Sequence, residues 1–314
     1  MNYRKLGNAG TKVSEIALGG WTTFGGSIQD RDQAKQIIHA AYDSGINFFD
    51  IADVYARGES ERMMGEVLQE FPRHTLVISS KVFGAMSDDV NDRGLSRKHI
   101  IESIDRSLQR IGTDYLDIYY CHRYDPETPL EETIRAMDDL VHQGKILYWG
   151  TSEWQSAQIA TAVGLARQYN LYRPKVEQPG YSLLRRSRVE TEVLPVAEPN
   201  GIGLTTFSPL ANGVLTGKYD QGIPKDSRMS HNERMRDRYT EDALDRVRRL
   251  EPIANELGIT RAQLALAWIL RHPGVSSVIT GATKPSQVES NALASGVTLD
   301  DDVVAQIDAL FPIE

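Results

Sequence analysis

Gly45-Ile-Asn-Phe-Phe-Asp50-Ile-Ala-Asp53-Val-Tyr55 begins as a β-prone apolar run and ends in acids and a phenol. The next run of this kind, Leu76 to Val82, carries Ser79-Ser80-Lys81, and the one after it, Tyr115 to Tyr120, opens into Cys121-His122-Arg123-Tyr124-Asp125. Working outward, the same form recurs at Glu15 to Leu18 on one side and at Ile146 to Gly150, Lys175 to Gln178, Gly203 to Phe207 and Ser276 to Ile279 on the other. Each run ends in polar or glycine-rich residues and is followed by an amphipathic helical pattern. Several helices announce their starts: Asp32 before Gln33 to Ser44, Ser96 before Arg97 to Ile111, and Thr128-Pro129 before Leu130 to Gln143. Most strand-to-strand intervals are about 28 to 39 residues, the length a parallel βαβ crossover needs. Eight such units predict a (β/α)₈ barrel.

About 70 residues separate the seventh and eighth strands, far more than a crossover requires. They include a polar, Gly- and Pro-punctuated stretch from Ala211 to Tyr239 and helical patterns over Glu241 to Leu257 and Arg261 to Arg271. Long barrel insertions sit after a strand, on the catalytic face. Ahead of the barrel, Tyr3 to Ser14 reads as a small hairpin around Gly7 and Gly10 that caps its bottom. A doubly wound open sheet shares the βα alternation, but no Gly-x-Gly-x-x-Gly follows the first strand. No linker or low-complexity segment interrupts the chain, so the expectation is one domain over residues 1–314.

The chain has 35 Lys and Arg against 43 Asp and Glu, a net charge of -8 that disfavours nucleic acid or an acidic membrane surface as partner. Any phosphate contact must then be local. The only cysteine, Cys121, allows no intramolecular disulfide and no Cys-based zinc site, so no metal is expected. The first residues lack the apolar run of a signal peptide, and no stretch approaches the ~20 apolar residues of a membrane span. A cytoplasmic location is expected.

On a barrel, polar residues at the C-terminal strand ends converge on one face. Asp50, Tyr55, Lys81 and His122 would meet there from three adjacent strands. Singly, Asp50 or His122 reads as an ordinary hydrogen-bonded structural residue. Lys81 resists that reading, because an ammonium within an apolar strand is costly unless a carboxylate pairs with it. Asp50 on the neighbouring strand is the natural partner. Trp21, Phe24, Phe83 and Trp154 are candidate walls of a substrate pocket, or equally core.

Gly45 to Tyr55, together with Gln178-Pro-Gly-Tyr181-Ser, resembles the aldo-keto reductase superfamily over essentially the whole chain. Leu18-Gly-Gly-Trp21-Thr-Thr-Phe-Gly25-Gly and Phe207-Ser-Pro-Leu-Ala211-Asn-Gly-Val-Leu-Thr-Gly-Lys218-Tyr are most similar to the branch containing potassium-channel β-subunits and related bacterial enzymes. The resemblance implies NADP(H)-dependent interconversion of carbonyls and alcohols, with a catalytic tetrad of Asp50, Tyr55, Lys81 and His122. A phenol of pKa near 10 is a poor acid at neutral pH, and a nearby ammonium is expected to lower it. His122 would hold the substrate carbonyl, with Trp21, Phe83 and Trp154 around it.

For the cofactor, the resemblance implies contacts from Trp21, Asp50, Ser152 and Gln178. The run Phe207, Ser208, Pro209, Leu210, Ala211, Asn212 would line the pyrophosphate, and Lys218 and Arg228 would supply charge. Gly281, Thr283, Gln287 and Asn291 would complete the phosphate end, where a loop enters a helix. Two positions depart from the family pattern: Glu153 replaces an Asn or Arg, and Ser290 replaces a Glu beside Asn291.

Two functional readings remain, a reductase of small aldehydes or ketones and a nucleotide-sensing subunit like the channel partners. The channel subunits carry Asn where this chain has His122, which favours the reductase. A non-redox lyase using a Schiff base on Lys81 would leave the cofactor motifs without a purpose. A homo-oligomer is allowed by the resemblance, and the substrate stays unnamed.

Overall fold

A computed structural model of the chain describes residues 1–225, 227, 230 and 239–313. Two short antiparallel strands come first, β1 (Tyr3–Lys5) and β2 (Lys12–Ser14), paired from Tyr3 with Ser14 to Lys5 with Lys12. Eight parallel strands follow: β3 (Ile16–Gly19), β4 (Phe48–Asp50), β5 (Val77–Val82), β6 (Leu116–Cys121), β7 (Ile146–Ser152), β8 (Val176–Gln178), β9 (Gly203–Thr206) and β10 (Val275–Thr280). They pair in sequence order, and β10 returns to pair with β3, closing a (β/α)₈ barrel.

The helices form where the sequence supplies caps. Asp30 accepts from the backbone N–H of Asp32 and Gln33 at 2.8 and 3.0 Å to start Arg31–Asp43, two residues earlier than Asp32 suggested. Ser96 caps Arg97–Ile111, and Gly112 ends it in the left-handed conformation. Thr260 and Gln263 form a reciprocal capping box at the head of Arg261–Leu270. The pattern over Glu241 to Leu257 is not one helix. It divides at Arg249 into Glu241–Arg248 and Leu250–Glu256, where Pro252, in the first turn of the second segment, has no N–H to give the Arg248 carbonyl.

The core lies in two layers. A large cluster fills the space between strands and helices, and a smaller one fills the barrel interior with Ala17, Phe48, Ile118, Tyr120, Val176 and Ile279. Leu6, Ala9 and Val13 of the hairpin join the inner cluster, so the hairpin plugs the barrel bottom. Gly7 permits the close approach. Its φ is +55°, and a Cβ there would lie 2.4 Å from the Gly201 carbonyl oxygen. With the bottom closed, the opposite end stays open. No described helix is long and apolar enough to cross a membrane.

Candidate active site

The open end is where the backbone is strained. Thr22, Ala56, Arg57, Glu153, Ser208, Ala211 and Asn212 all have positive φ and all lie in loops that follow barrel strands; among the described non-glycine residues only Asn170 lies elsewhere. Such conformations cost about 1–3 kcal/mol each and persist only where surrounding structure enforces them. Between these loops lies a cavity of about 1,100 Å³, at the upper end of what small-molecule and cofactor sites typically occupy.

At its floor, Lys81 from β5 is fully buried and donates to Asp50 Oδ2 at 2.6 Å and to the Ile51 carbonyl at 2.7 Å. The other oxygen, Asp50 Oδ1, accepts from Ser79 Oγ at 2.7 Å and Gln178 Nε2 at 3.0 Å. The pairing anticipated from an ammonium in an apolar strand is therefore present, and the carboxylate is saturated with donors. Tyr55 stands above this pair, with Lys81 Nζ 4.9 Å from its ring centroid. The His122 ring meets the Tyr55 ring edge-on at 5.7 Å. Its backbone N–H is fixed by the Val82 carbonyl at 3.0 Å.

The electrostatics of the phenol run opposite to the expectation. Burial, reinforced by the Asp50 carboxylate, holds Tyr55 well above the ordinary tyrosine range, with Arg123 pulling the other way. In the resting site the Asp50 carboxylate offsets the charge of Lys81. Burial also lowers Lys81, opposed chiefly by Asp50. His122 is driven well below the usual imidazole range by burial and then by the charges of Lys81 and Arg123, so its ring is neutral at pH 7. A protonated phenol and a neutral imidazole thus flank one point at the cavity floor.

Most expected residues line the cavity. Trp21, Phe24, Asp50, Tyr55, His122, Ser152 and Gln178 surround the reactive end. Phe207, Ser208, Pro209, Leu210, Asn212 and Lys218 follow along one wall, and Gly281, Thr283, Gln287, Ser290 and Asn291 close the far end. Four expected residues fall outside its lining, the first being Lys81, which is buried beneath the floor. Trp154 is fully buried with its ring edge-on to Tyr124 at 5.0 Å, because left-handed Glu153 turns the chain back into the shell between barrel and helices. Phe83 is half-buried and packs against the outer core rather than the cavity. Ala211 is buried behind the wall that Leu210 and Asn212 form. Arg228 lies outside the described residues.

The Aldo/keto reductase family profile matches residues 15–311. This chain belongs to the aldo/keto reductase family. Among its relatives, a "Probable voltage-gated potassium channel subunit beta" of Arabidopsis thaliana is 50% identical over 303 residues, 95% of this chain and 92% of the relative. One of the same name from Oryza sativa subsp. japonica is 47% identical over 318 residues, 99% of this chain and 96% of the relative. Members of the family carry out nicotinamide-dependent oxidoreduction and generally use NAD(P)H.

The cavity of this family member fits such a group. One end presents Ser152 and Gln178, and the other presents Lys218 and the polar loop into helix Pro285–Ala292. The departure at Glu153 also has a physical account. Its carboxylate accepts from Gly180 N–H at 2.7 Å, Arg185 Nη2 at 2.6 Å and Arg188 Nη1 at 3.3 Å, so it straps the loops after β7 and β8 together. Two more buried acids escaped the sequence reading. Glu177, pushed up to about 7 by burial, accepts from Thr151 Oγ1 at 2.5 Å and Trp154 N–H at 3.3 Å. Glu61 accepts from Arg110 Nε at 2.5 Å and Ser80 Oγ at 2.6 Å. Neither lines the cavity, and the local sequence around each acid does not reveal the distant residues that pair with it.

Proposed function

We propose that this chain reduces aldehydes or ketones to alcohols with NADPH, with Tyr55 as proton donor. The observation that carries the reading is the juxtaposition of the buried Asp50–Lys81 pair, protonated Tyr55 and neutral His122 at the floor of one large cavity. Trp21, Ser152 and Gln178 would hold the nicotinamide end. The Phe207 to Asn212 wall, Lys218, and the Gly281, Thr283, Gln287 and Asn291 loop would hold the phosphates. The reduced nicotinamide supplies a hydride when bound.

The residues do the rest. His122 donates an N–H hydrogen bond to the substrate carbonyl oxygen and orients it. Tyr55 gives that oxygen a proton as negative charge builds on it, and burial keeps the phenol protonated in the resting site. Lys81 then stands close enough to stabilise the phenolate left behind. Asp50 fixes the ammonium and keeps it from wandering into the cavity.

The names of the relatives favour a second reading, a nucleotide-binding regulatory subunit with little turnover. NADPH oxidation against a panel of aldehydes and ketones, in wild type and Tyr55→Phe, separates the two. The reductase reading expects turnover that falls about 10²–10⁴-fold in the variant, with NADPH affinity intact. Wild-type turnover in Tyr55→Phe would remove the phenol from the mechanism, and tight NADPH binding with no turnover of any carbonyl would favour the regulatory subunit.

A further inference from the structure

Among the described residues two cations line the cavity, Lys218 towards the phosphate end and Arg123 beside His122. Lys218 has a use in the reading above. Arg123, an exposed residue, has none. Its Nη1 donates to the His122 carbonyl at 2.5 Å and reaches Ser152 Oγ at 3.4 Å, which places the guanidinium at the reactive end. Among the described residues no carboxylate pairs with it. The nearby Arg185 and Arg188, by contrast, are both engaged by Glu153. Its charge bears on Tyr55, Lys81 and His122, so it acts on the reacting groups' own surroundings.

An arginine with donors left open on a cavity wall matches a carboxylate or phosphate better than any neutral group, since its planar fork can give parallel charge-assisted hydrogen bonds. The net charge of -8 makes a local cation the more necessary, because the protein's overall field repels anions. We propose that Arg123 is a specificity-determining residue and that the substrate is a small aldehyde or ketone bearing a carboxylate or phosphate a few atoms from its carbonyl. The inference rests on the carbonyl-reductase reading above and deepens it. The carbonyl oxygen sits between Tyr55 and His122, and the anion reaches past the imidazole to the guanidinium.

The test compares matched substrate pairs: 4-oxobutanoate against its methyl ester, and glycolaldehyde phosphate against glycolaldehyde. For at least one pair, wild-type kcat/KM should favour the anion by roughly 10- to 100-fold, the range expected for hydrogen bonds to a charged group. That ratio should collapse towards unity in Arg123→Gln and be partly kept in Arg123→Lys. The pair that shows the preference tells carboxylate from phosphate. A ratio near unity for both pairs in wild type, or one that Arg123→Gln leaves unchanged, overturns the proposal. So does a loss of NADPH affinity in Arg123→Gln as large as the loss of discrimination, which would give the guanidinium to the dinucleotide. Calorimetric titration of the NADP⁺-saturated protein with succinate and with inorganic phosphate needs no turnover. Binding that Arg123→Gln abolishes upholds the anion site even if no carbonyl is reduced and the reductase reading fails, and absence of binding by both probes overturns it.

Discussion

Asp50 and Lys81 have 4% and 0% of their side chains exposed and are matched charge for charge, whereas Lys218, along the same cavity, is exposed and ion-paired with no carboxylate among the described residues. The two cations are lysines of one chain lining or underlying one site, yet folding has treated them oppositely. For the pair beneath the reactive end the protein supplies the partners itself, so the geometry of that floor is set before any ligand arrives. Towards the phosphate end the charge is left for a ligand to satisfy. Mutations should therefore affect stability and catalysis at the first end and mainly affinity at the second.

The largest contrast comes from Lys81→Met. Removing the ammonium leaves the Asp50 carboxylate buried against Ser79 and Gln178 alone, and breaking a buried pair this way costs about 3–5 kcal/mol. Urea denaturation should show that loss, with much of it recovered in the Asp50→Asn, Lys81→Met double variant. A single variant as stable as wild type would mean that the pair is not what orders the floor. The smaller effect is expected from Lys218→Ala. Stability should stay within about 0.5 kcal/mol of wild type, as at most exposed sites. Binding titrations should show NADPH weakened by roughly 10-fold, the loss of about one charge-assisted hydrogen bond, with NADH affected less. Equal weakening of both cofactors would detach Lys218 from the additional phosphate.

What could be read from sequence follows the same division. The eight strands and most helix starts were legible because burial on both faces and capping chemistry leave local marks, as at Ser96 and Gly112. The Asp50–Lys81 pair was legible because a buried ammonium demands a partner and Asp50 stood at the C-terminal end of the preceding strand. The phenol's acidity was misjudged for a related reason. Sequence puts Lys81, Asp50 and Tyr55 near one another but does not show how deeply the phenol is buried, which is the first cause of its raised pKa. Trp154 was misplaced because nothing in Ser152-Glu153-Trp154 signals a left-handed glutamate, a conformation enforced by Gly180, Arg185 and Arg188 from distant parts of the chain. Arg123 drew no notice because an arginine in a loop is ordinary until its lack of a partner is visible. The break at Arg249 was legible but overlooked, because Pro252 cannot donate to the Arg248 carbonyl and so cannot continue a helix through it.

The claim that a carbonyl oxygen is held between Tyr55 and His122 is tested most directly by single-turnover hydride transfer in wild type and His122→Asn, with the NADPH dissociation constant measured alongside. Asn can still donate a hydrogen bond, but its shorter amide leaves the oxygen displaced, and a displacement of ~1 Å can cost about 100-fold in rate. The ring is neutral in the folded protein, so its loss removes an orienting donor and no charge. The account predicts hydride transfer slowed by about 100-fold with NADPH affinity and folded stability nearly unchanged. Hydride transfer at the wild-type rate in His122→Asn would contradict it.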